Sequence, residues 1–209
     1  MVAKIYIVLL YNICYMKKLI SINRVNMLYI ETAKQKVMEL FYRFPDKEFS
    51  LSDVAKEAGV NKANLGAILA LLASFGFIKI EKLSKIWRVK AAQENWIFKR
   101  AKIVYNLNFI YQRGLVEFLN EFYNNPKSIV LFGSFRKGED VSGSDIDLAI
   151  ESDDFKDYRI LGLRQLADFE KSIGRRIQIH EFNRKLVDSN LFNNIANGVV
   201  LMGFLEVHK

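Results

Sequence analysis

The sequence predicts an α+β protein with two folded units joined by a long helical linker. Three short helical patterns and two short strands occupy residues 30–90, and apolar residues at helical spacing fill residues 91–126. Alternating strand patterns separated by helices occupy residues 127–209, which are expected to form a small mixed sheet flanked by helices. A chain of 209 residues is long enough for two such units, each with its own core.

The composition is typical of a folded protein without a disulfide framework. Hydrophobic residues make up 51% and charged residues 26%. The single cysteine, Cys14, is interpreted as an apolar filler, and with only His180 and His208 as histidines no zinc site is expected. The formal net charge is +8, and the basic excess lies entirely within residues 1–90. This asymmetry indicates an N-terminal part that faces nucleic acid, although lysines that only keep a surface soluble give the same pattern.

Residues 1–29 are predicted to be an N-terminal extension. Their apolar run is interrupted by Lys4 and is too short to predict a membrane helix, and no Ala-x-Ala cleavage pattern follows it. Three interpretations stay open: a segment that packs on the body, a weak membrane anchor, or an extension upstream of a true start at Met16 or Met27. The packed segment or the extension is favoured over the anchor, because everything downstream is typical of a cytoplasmic protein.

Residues 30–90 are predicted to fold as three helices and a β-hairpin. Ser50 or Ser52 is placed to cap the second helix, and Asn61 is placed to cap the third. Two short strands flank a basic loop at residues 81–85. This order of elements, with the Asp-Val-Ala-Lys-Glu-Ala-Gly-Val turn, resembles a winged helix-turn-helix domain.

Such a domain normally places its third helix in the major groove of DNA. Only Lys62 and Asn64 of this helix are suited to contact bases or phosphates, and the rest is apolar, as in a helix buried on several sides. Two interpretations compete: the helix tip and the wing contact DNA with weak base specificity, or the helix is a dimer or domain interface. DNA binding is favoured because the wing supplies positive charge. The predicted DNA contacts are Lys62, Asn64, Lys82, Lys85 and Arg88.

Residues 91–126 are predicted to form one or two long helices. Gly114 is a candidate interruption, and Pro126 marks the entry to the next unit. The many aromatic side chains at helical spacing indicate a packed core or the seam of a homodimer, rather than a surface on which bases stack.

The most informative stretch is residues 130–150. An apolar run ends at Gly133 and Ser134, and a polar loop then leads to an alternating segment with Asp145 and Asp147. Because successive side chains of a strand point to opposite faces, the two aspartates share a face. Adjacent carboxylates repel each other, and Mg²⁺, which prefers oxygen ligands, relieves that repulsion. The glycine permits a phosphate to approach the backbone closely, and the serine can donate a hydrogen bond to it.

The apolar-Gly-Ser sequence, the ten-residue spacer and Asp-Ile-Asp-Leu resemble the signature of the nucleotidyltransferase superfamily, in particular its minimal prokaryotic members. The resemblance implies that Gly133 and Ser134 hold the triphosphate of an NTP, and that Asp145 and Asp147 bind the catalytic Mg²⁺. A basic residue at position 137 and a serine at position 144 also match the pattern. The predicted nucleotide contacts are therefore Gly133, Ser134, Lys137 and Ser144.

The same resemblance implies a third carboxylate in a later strand, and the corresponding residue here is Gln178. An amide carries no charge and cannot act as a general base, so nucleotide and Mg²⁺ binding are expected to persist more readily than turnover. His180 lies two residues further along the strand, on the same face as Gln178, and is a candidate to take over the role of the base. Glu181 is expected to face away in a regular strand.

The remaining segments complete the predicted C-terminal unit. A helix is expected from the acidic turn at residues 151–154 to about Ile173, followed by a strand over residues 175–182. A last helix is expected over residues 186–196, ahead of an apolar end.

Two functions stay open from the sequence. One is transfer of a nucleoside monophosphate from an NTP to a hydroxyl of a protein, a small molecule or an RNA end. The other is a winged-helix transcriptional regulator whose nucleotidyltransferase-like part senses nucleotide with weak or no catalysis. Members of the superfamily also act as antitoxins that modify a partner toxin, so the resemblance implies a protein as a possible partner.

Overall fold

The computed structural model of the protein describes residues 32–83 and 86–207. The predicted N-terminal extension, Cys14, Lys85 and His208 lie outside the described residues.

Three helices and a three-stranded sheet form the first part of the described chain. Its elements are α1 (Ala33–Arg43), β1 (Glu48–Phe49), α2 (Leu51–Glu57), α3 (Lys62–Ser74), β2 (Ile78–Leu83) and β3 (Ile86–Ala91). The strands are antiparallel and lie in the order β1-β3-β2. The helices enclose a core that contains Val37, Phe41, Leu65, Leu69 and Val89.

Side-chain caps set where α2 and α3 begin, as the sequence predicts. Of the two candidates for α2, Ser50 is the cap: its Oγ accepts a hydrogen bond from the Asp53 amide at 3.2 Å, and the Asp53 carboxylate accepts one from the Ser50 amide at 3.0 Å. Asn61 Oδ1 accepts a hydrogen bond from the Ala63 amide at 2.9 Å.

The hairpin is longer than predicted. Residues 81–83, expected in a loop, continue β2, because Glu81 pairs with Arg88 and Lys82 with Trp87 across the strands. The ammonium of Lys82 lies 4.2 Å from the centre of the Trp87 ring, a cation–π contact that favours the extended pairing. The two residues of β1 are too few to give an alternating pattern, so this strand was not predicted.

Two helices connect the parts, and the predicted interruption at Gly114 is confirmed. Helix α4 spans Trp96–Gln112 and α5 spans Leu115–Phe122, with Gly114 between them at φ 70°. Phe98 of α4 packs in the core of the first part, whereas Ile110 packs in the core beneath the second sheet. Helix α4 therefore contributes to both cores.

A five-stranded mixed sheet organises the rest of the described chain. Its elements are β4 (Ser128–Phe132), α6 (Gly133–Lys137), β5 (Ile146–Glu151), β6 (Arg159–Leu161), a 3₁₀ turn (Arg164–Leu166), α7 (Ala167–Ile173), β7 (Ile177–Phe182), α8 (Ser189–Ala196) and β8 (Val199–Gly203). The strand order is β6-β7-β5-β4-β8. Strands β5 and β7 are parallel and the other pairs antiparallel. The expected small mixed sheet with flanking helices is thus present.

The predicted helix from residues 151–154 to Ile173 is wrong for all but its last part. Strand β6 lies there instead and pairs antiparallel with β7, and the helix begins only at Ala167. The Arg159 guanidinium lies 2.6 Å from the buried carboxylate of Glu181 on β7, and this pairing across the sheet overrides the local helical pattern.

The two faces of β5 separate core from site. Ile146, Leu148 and Ile150 are fully buried in the core beneath α5 and α7. Asp147 lies on the opposite face and is half-buried. Among the described residues, no helix combines the length and apolar character needed to cross a membrane.

Candidate functional site

Gly133 and Asp147 meet where β4 ends. The two strands are antiparallel with Phe132 opposite Asp147, so the first residue of α6 lies next to the Asp147 side chain. Gly133 has φ +70°, and a Cβ at this position would overlap Asp147 Oδ2. Only glycine fits both the left-handed backbone and the contact, which brings the backbone of α6 against a carboxylate.

Asp147 is also held by His180. The His180 Nε2 lies 3.3 Å from Asp147 Oδ1, and the Tyr158 hydroxyl lies 2.6 Å from Nδ1 of the same ring. Burial, and then the charge of Asp147, raise the pKa of the Tyr158 hydroxyl, so it keeps its proton and donates it to Nδ1. With Nδ1 accepting this hydrogen bond, Nε2 is the ring nitrogen that donates to the Asp147 carboxylate. Phe132 packs edge-on against the ring, with centroids 4.8 Å apart, and the His180 side chain is buried.

Gln178 and Arg176 surround Asp145. Gln178 lies opposite Asp147 in the parallel β5–β7 pair, and its Nε2 donates a hydrogen bond to Asp145 Oδ2. Arg176 Nε lies 3.2 Å from Asp145 Oδ1. The position predicted to lack the third carboxylate therefore holds an amide that donates its N–H towards the aspartate.

Glu181 faces away from the site, as expected for the next position of a regular strand. Its carboxylate accepts a hydrogen bond from the Tyr123 hydroxyl at 3.0 Å and one from Arg159 at 2.6 Å. The side chain is buried on the face of the sheet that α5 and α7 cover. It therefore does not replace the third carboxylate.

The remaining predicted nucleotide contacts lie on α6 and the loop that follows it. Ser134 is half-buried at the second position of the helix, and Lys137 is exposed at its end. Ser144 closes the loop: its Oγ accepts from the Val141 amide at 2.9 Å, and its amide donates to the Val141 carbonyl at 3.0 Å. The structure thus brings Gly133 against Asp147, with Ser134 as the next residue of α6, while Ser144 shapes the loop.

Two residues of this site were not predicted. Arg176 belongs to the basic pair before β7, so its position beside Asp145 could have been inferred from the spacing. Tyr158 gave no such signal, because the sequence places it in a helix rather than in the segment that leads into β6.

The donor set fits a magnesium ion that arrives with a nucleotide. Over residues 32–83 and 86–207, no group of three or more His, Cys, Asp or Glu side chains is arranged to hold a metal. Two half-buried carboxylates, Asp145 and Asp147, are nevertheless donors of the kind that Mg²⁺ binds together with phosphate oxygens.

Four of the predicted DNA contacts, Lys62, Asn64, Lys82 and Arg88, lie within the described residues. Lys62 and Asn64 are exposed at the start of α3, where Lys62 Nζ donates to Ser52 Oγ at 2.8 Å. Because Lys82 pairs with Trp87 and Arg88 with Glu81, the two wing cations point to opposite faces of the hairpin. Arg88 also lies 3.6 Å from the carboxylate of Glu48.

Comparison with known proteins bears on the C-terminal part. A crystal structure described as that of the transcriptional regulator PA4135 is 18% identical and covers 55% of this chain and 94% of that chain, at a TM-score of 0.30, which is too low to indicate a shared fold. No curated protein matches the chain at a significant level. Residues 113–199 match the family model of the nucleotidyltransferase domain, a fold of NTP-using transferases.

Proposed function

We propose that the chain binds a nucleoside triphosphate with Mg²⁺ and transfers its nucleoside monophosphate slowly to a hydroxyl of a protein, a small molecule or an RNA end. The observation that carries this proposal is the contact between Gly133 and Asp147. It sets the left-handed glycine backbone at the start of α6 directly beside a carboxylate suited to the metal. The match of residues 113–199 to the nucleotidyltransferase domain supports it.

Each predicted residue has a distinct role in this proposal. Gly133 and Ser134 hold the triphosphate, and Lys137 offsets its negative charge. Asp145 and Asp147 hold Mg²⁺, which supplies neutralisation of the charge on the phosphates.

The rate is expected to be low because of Gln178. The acceptor hydroxyl oxygen bonds to the α-phosphorus, the bond to the β-phosphate breaks, and pyrophosphate leaves. The hydroxyl proton passes to solvent water, because Gln178 supplies no base and His180 Nε2 is engaged with Asp147. Binding therefore survives better than transfer.

A second function is favoured by the first part of the chain, for which we propose a winged helix-turn-helix domain at residues 30–90. The order α1-β1-α2-α3-β2-β3 and the basic excess of residues 1–90 support DNA binding. The protein would then be a regulator that senses nucleotide through its C-terminal part at residues 127–209, with residues 91–126 as linker. A cytoplasmic homodimer with a protein partner belongs to the same proposal.

Incubation with α-labelled NTPs and Mg²⁺ tests the enzyme proposal. Label should pass to an acceptor with the wild type and with Asp168→Ala, an exposed aspartate on α7 that serves as the control. It should not pass with Asp145→Ala or Asp147→Ala. Nucleotide binding without transfer to any acceptor would favour the regulator instead.

Retention of labelled duplex DNA at rising salt concentration tests the second function. Binding should weaken steeply with salt, and Lys62→Gln should weaken it further, whereas Lys171→Gln on α7 should not. No retention at low salt would rule out the DNA-binding proposal.

A further inference from the structure

Three buried charged side chains lie beneath the loop that joins α6 to β5. Lys102 on α4, Asp140 in the loop and Arg175 before β7 are 0%, 1% and 8% exposed. Lys102 Nζ and Arg175 Nη2 each lie 2.9 Å from an oxygen of the Asp140 carboxylate, and Asn106 Nδ2 donates to the same carboxylate at 2.9 Å. Burying charges is costly, and hydrophobic side chains often stabilise a core as well as a buried ion pair does. Stability alone is therefore a weak explanation for this cluster.

The cluster fixes the loop at several points. Asn106 Nδ2 also donates to the Phe135 carbonyl at 2.8 Å, and the Arg175 guanidinium donates to the Val141 carbonyl. Gly138 lies so close to α4 that a Cβ there would be 2.6 Å from the Lys99 carbonyl oxygen. The loop spans the sequence between Ser134 and Asp145, so these contacts set the spacing between the two halves of the candidate site.

Arg175 also reaches the first part of the chain. Its Nη2 donates to the carbonyl of Arg43, the last residue of α1, at 3.0 Å. Three residues beyond Arg43, Asp46 Oδ1 accepts a hydrogen bond from the Ser142 amide at 2.9 Å. One guanidinium therefore contacts α1, the loop and Asp140, while the adjacent Arg176 contacts Asp145.

We propose that Arg175 is a positioning residue for the candidate nucleotide site: together with Asp140 it fixes the loop between Ser134 and Asp145 and joins that loop to α1. This inference rests on the proposed function. A site that is already held in its ligand-binding geometry loses less conformational entropy when the ligand binds. Nucleotide affinity therefore depends on these contacts.

The affinity of matched variants for an NTP tests the proposal. Arg175→Lys keeps the charge but cannot reach three acceptors at once, and Asp46→Ala removes the exposed contact to Ser142. Lys99→Gln is the control, because it breaks an exposed ion pair: Lys99 Nζ on α4 lies 3.3 Å from the carboxylate of Glu139 in the same loop. Affinity is measured by calorimetry with ATP, GTP, CTP and UTP in Mg²⁺. Arg175→Lys should bind about tenfold more weakly than the wild type, and Lys99→Gln should match the wild type.

Hydrogen exchange of the nucleotide-free protein separates this inference from the proposed function. The Ser142 amide should exchange faster in Arg175→Lys and Asp46→Ala than in Lys99→Gln, whether or not the wild type binds an NTP. Equal protection in all three variants would overturn the inference. So would wild-type NTP affinity in Arg175→Lys accompanied only by a lower free energy of unfolding. If Arg175→Lys does not fold, the NTP affinity and the Ser142 amide exchange of Asp46→Ala test the inference instead.

Discussion

His180 holds Asp147 in place: its Nε2 lies 3.3 Å from Asp147 Oδ1, and the Tyr158 hydroxyl fixes the other ring nitrogen at 2.6 Å. A carboxylate oriented in this way needs no reorganisation before it binds a cation. Partners that orient a metal ligand typically account for 10- to 100-fold in metal affinity.

Replacing His180 should therefore weaken binding without changing the carboxylates. His180→Phe is expected to lower the affinity for Mg²⁺ and NTP by about 10- to 100-fold, and Tyr158→Phe by a smaller factor, because the ring stays in place. Equilibrium binding of a labelled NTP in Mg²⁺ measures both. Unchanged affinity in His180→Phe would show that the ring does not orient Asp147.

Gly133 should not tolerate a side chain. Gly133→Ala puts a Cβ against Asp147 Oδ2 and forces an L-residue to φ +70°, at a cost of about 1–2 kcal/mol. The free energy of unfolding, measured with urea, should fall by about that amount, and NTP affinity should fall by about tenfold or more. Gly143→Ala is the control, since nothing lies within 4 Å of its Cβ position. Equal effects of the two substitutions would contradict the proposed contact.

Restoring the third carboxylate should raise transfer. Gln178→Asp replaces the amide that donates to Asp145 with a metal ligand and base, and Arg176 beside Asp145 offsets the added charge. An increase of about 10²–10⁴ in Mg²⁺-dependent label transfer is expected, the range typical of a general base. Gln178→Asn, which shortens the side chain equally without adding charge, should show none. A similar rate for both variants would argue that the missing acid does not limit turnover.

Ionisation of Tyr42 should lower the free energy of unfolding at alkaline pH. Burial raises the pKa of its hydroxyl to about 12, whereas the unfolded chain ionises near pH 10. Between these values the folded state binds more protons, so its stabilising contribution is complete below about pH 10 and is lost as the pH rises towards 12.

Urea titrations at several pH values test this expectation. The free energy of unfolding of the wild type should decline from pH 10 to 12 by about 2 kcal/mol more than that of Tyr42→Phe. Between pH 7 and 9 the difference between the two proteins should stay constant. Parallel curves over the whole range would contradict the role given to burial.

Local patterns were enough to predict the strand that ends at Gly133 and the face of β5 on which Asp147 lies. A strand, a glycine turn and alternating residues have the same geometry wherever they occur, so their spacing indicates which side chains share a face. The caps at Ser50 and Asn61 were predictable for the same reason, because a capping residue acts on amides two or three positions away.

Contacts between distant segments could not be read from such patterns. Strand β6 forms because it pairs with β7, and this pairing places Tyr158 beside His180. The contacts of Arg175 to Arg43 and Asp140 likewise join segments that are far apart in the chain. Only the tertiary arrangement brings these groups together, so the contacts of Tyr158 and Arg175 were missed.

Equilibrium binding of labelled NTPs to the wild type, with and without Mg²⁺, is the most direct test of a nucleotide site at Gly133, Asp145 and Asp147. Saturable binding should require Mg²⁺ and should be lost in the double variant Asp145→Ala and Asp147→Ala, but kept in Asp168→Ala. Absence of saturable binding by the wild type, or binding that the double variant retains, would contradict the account.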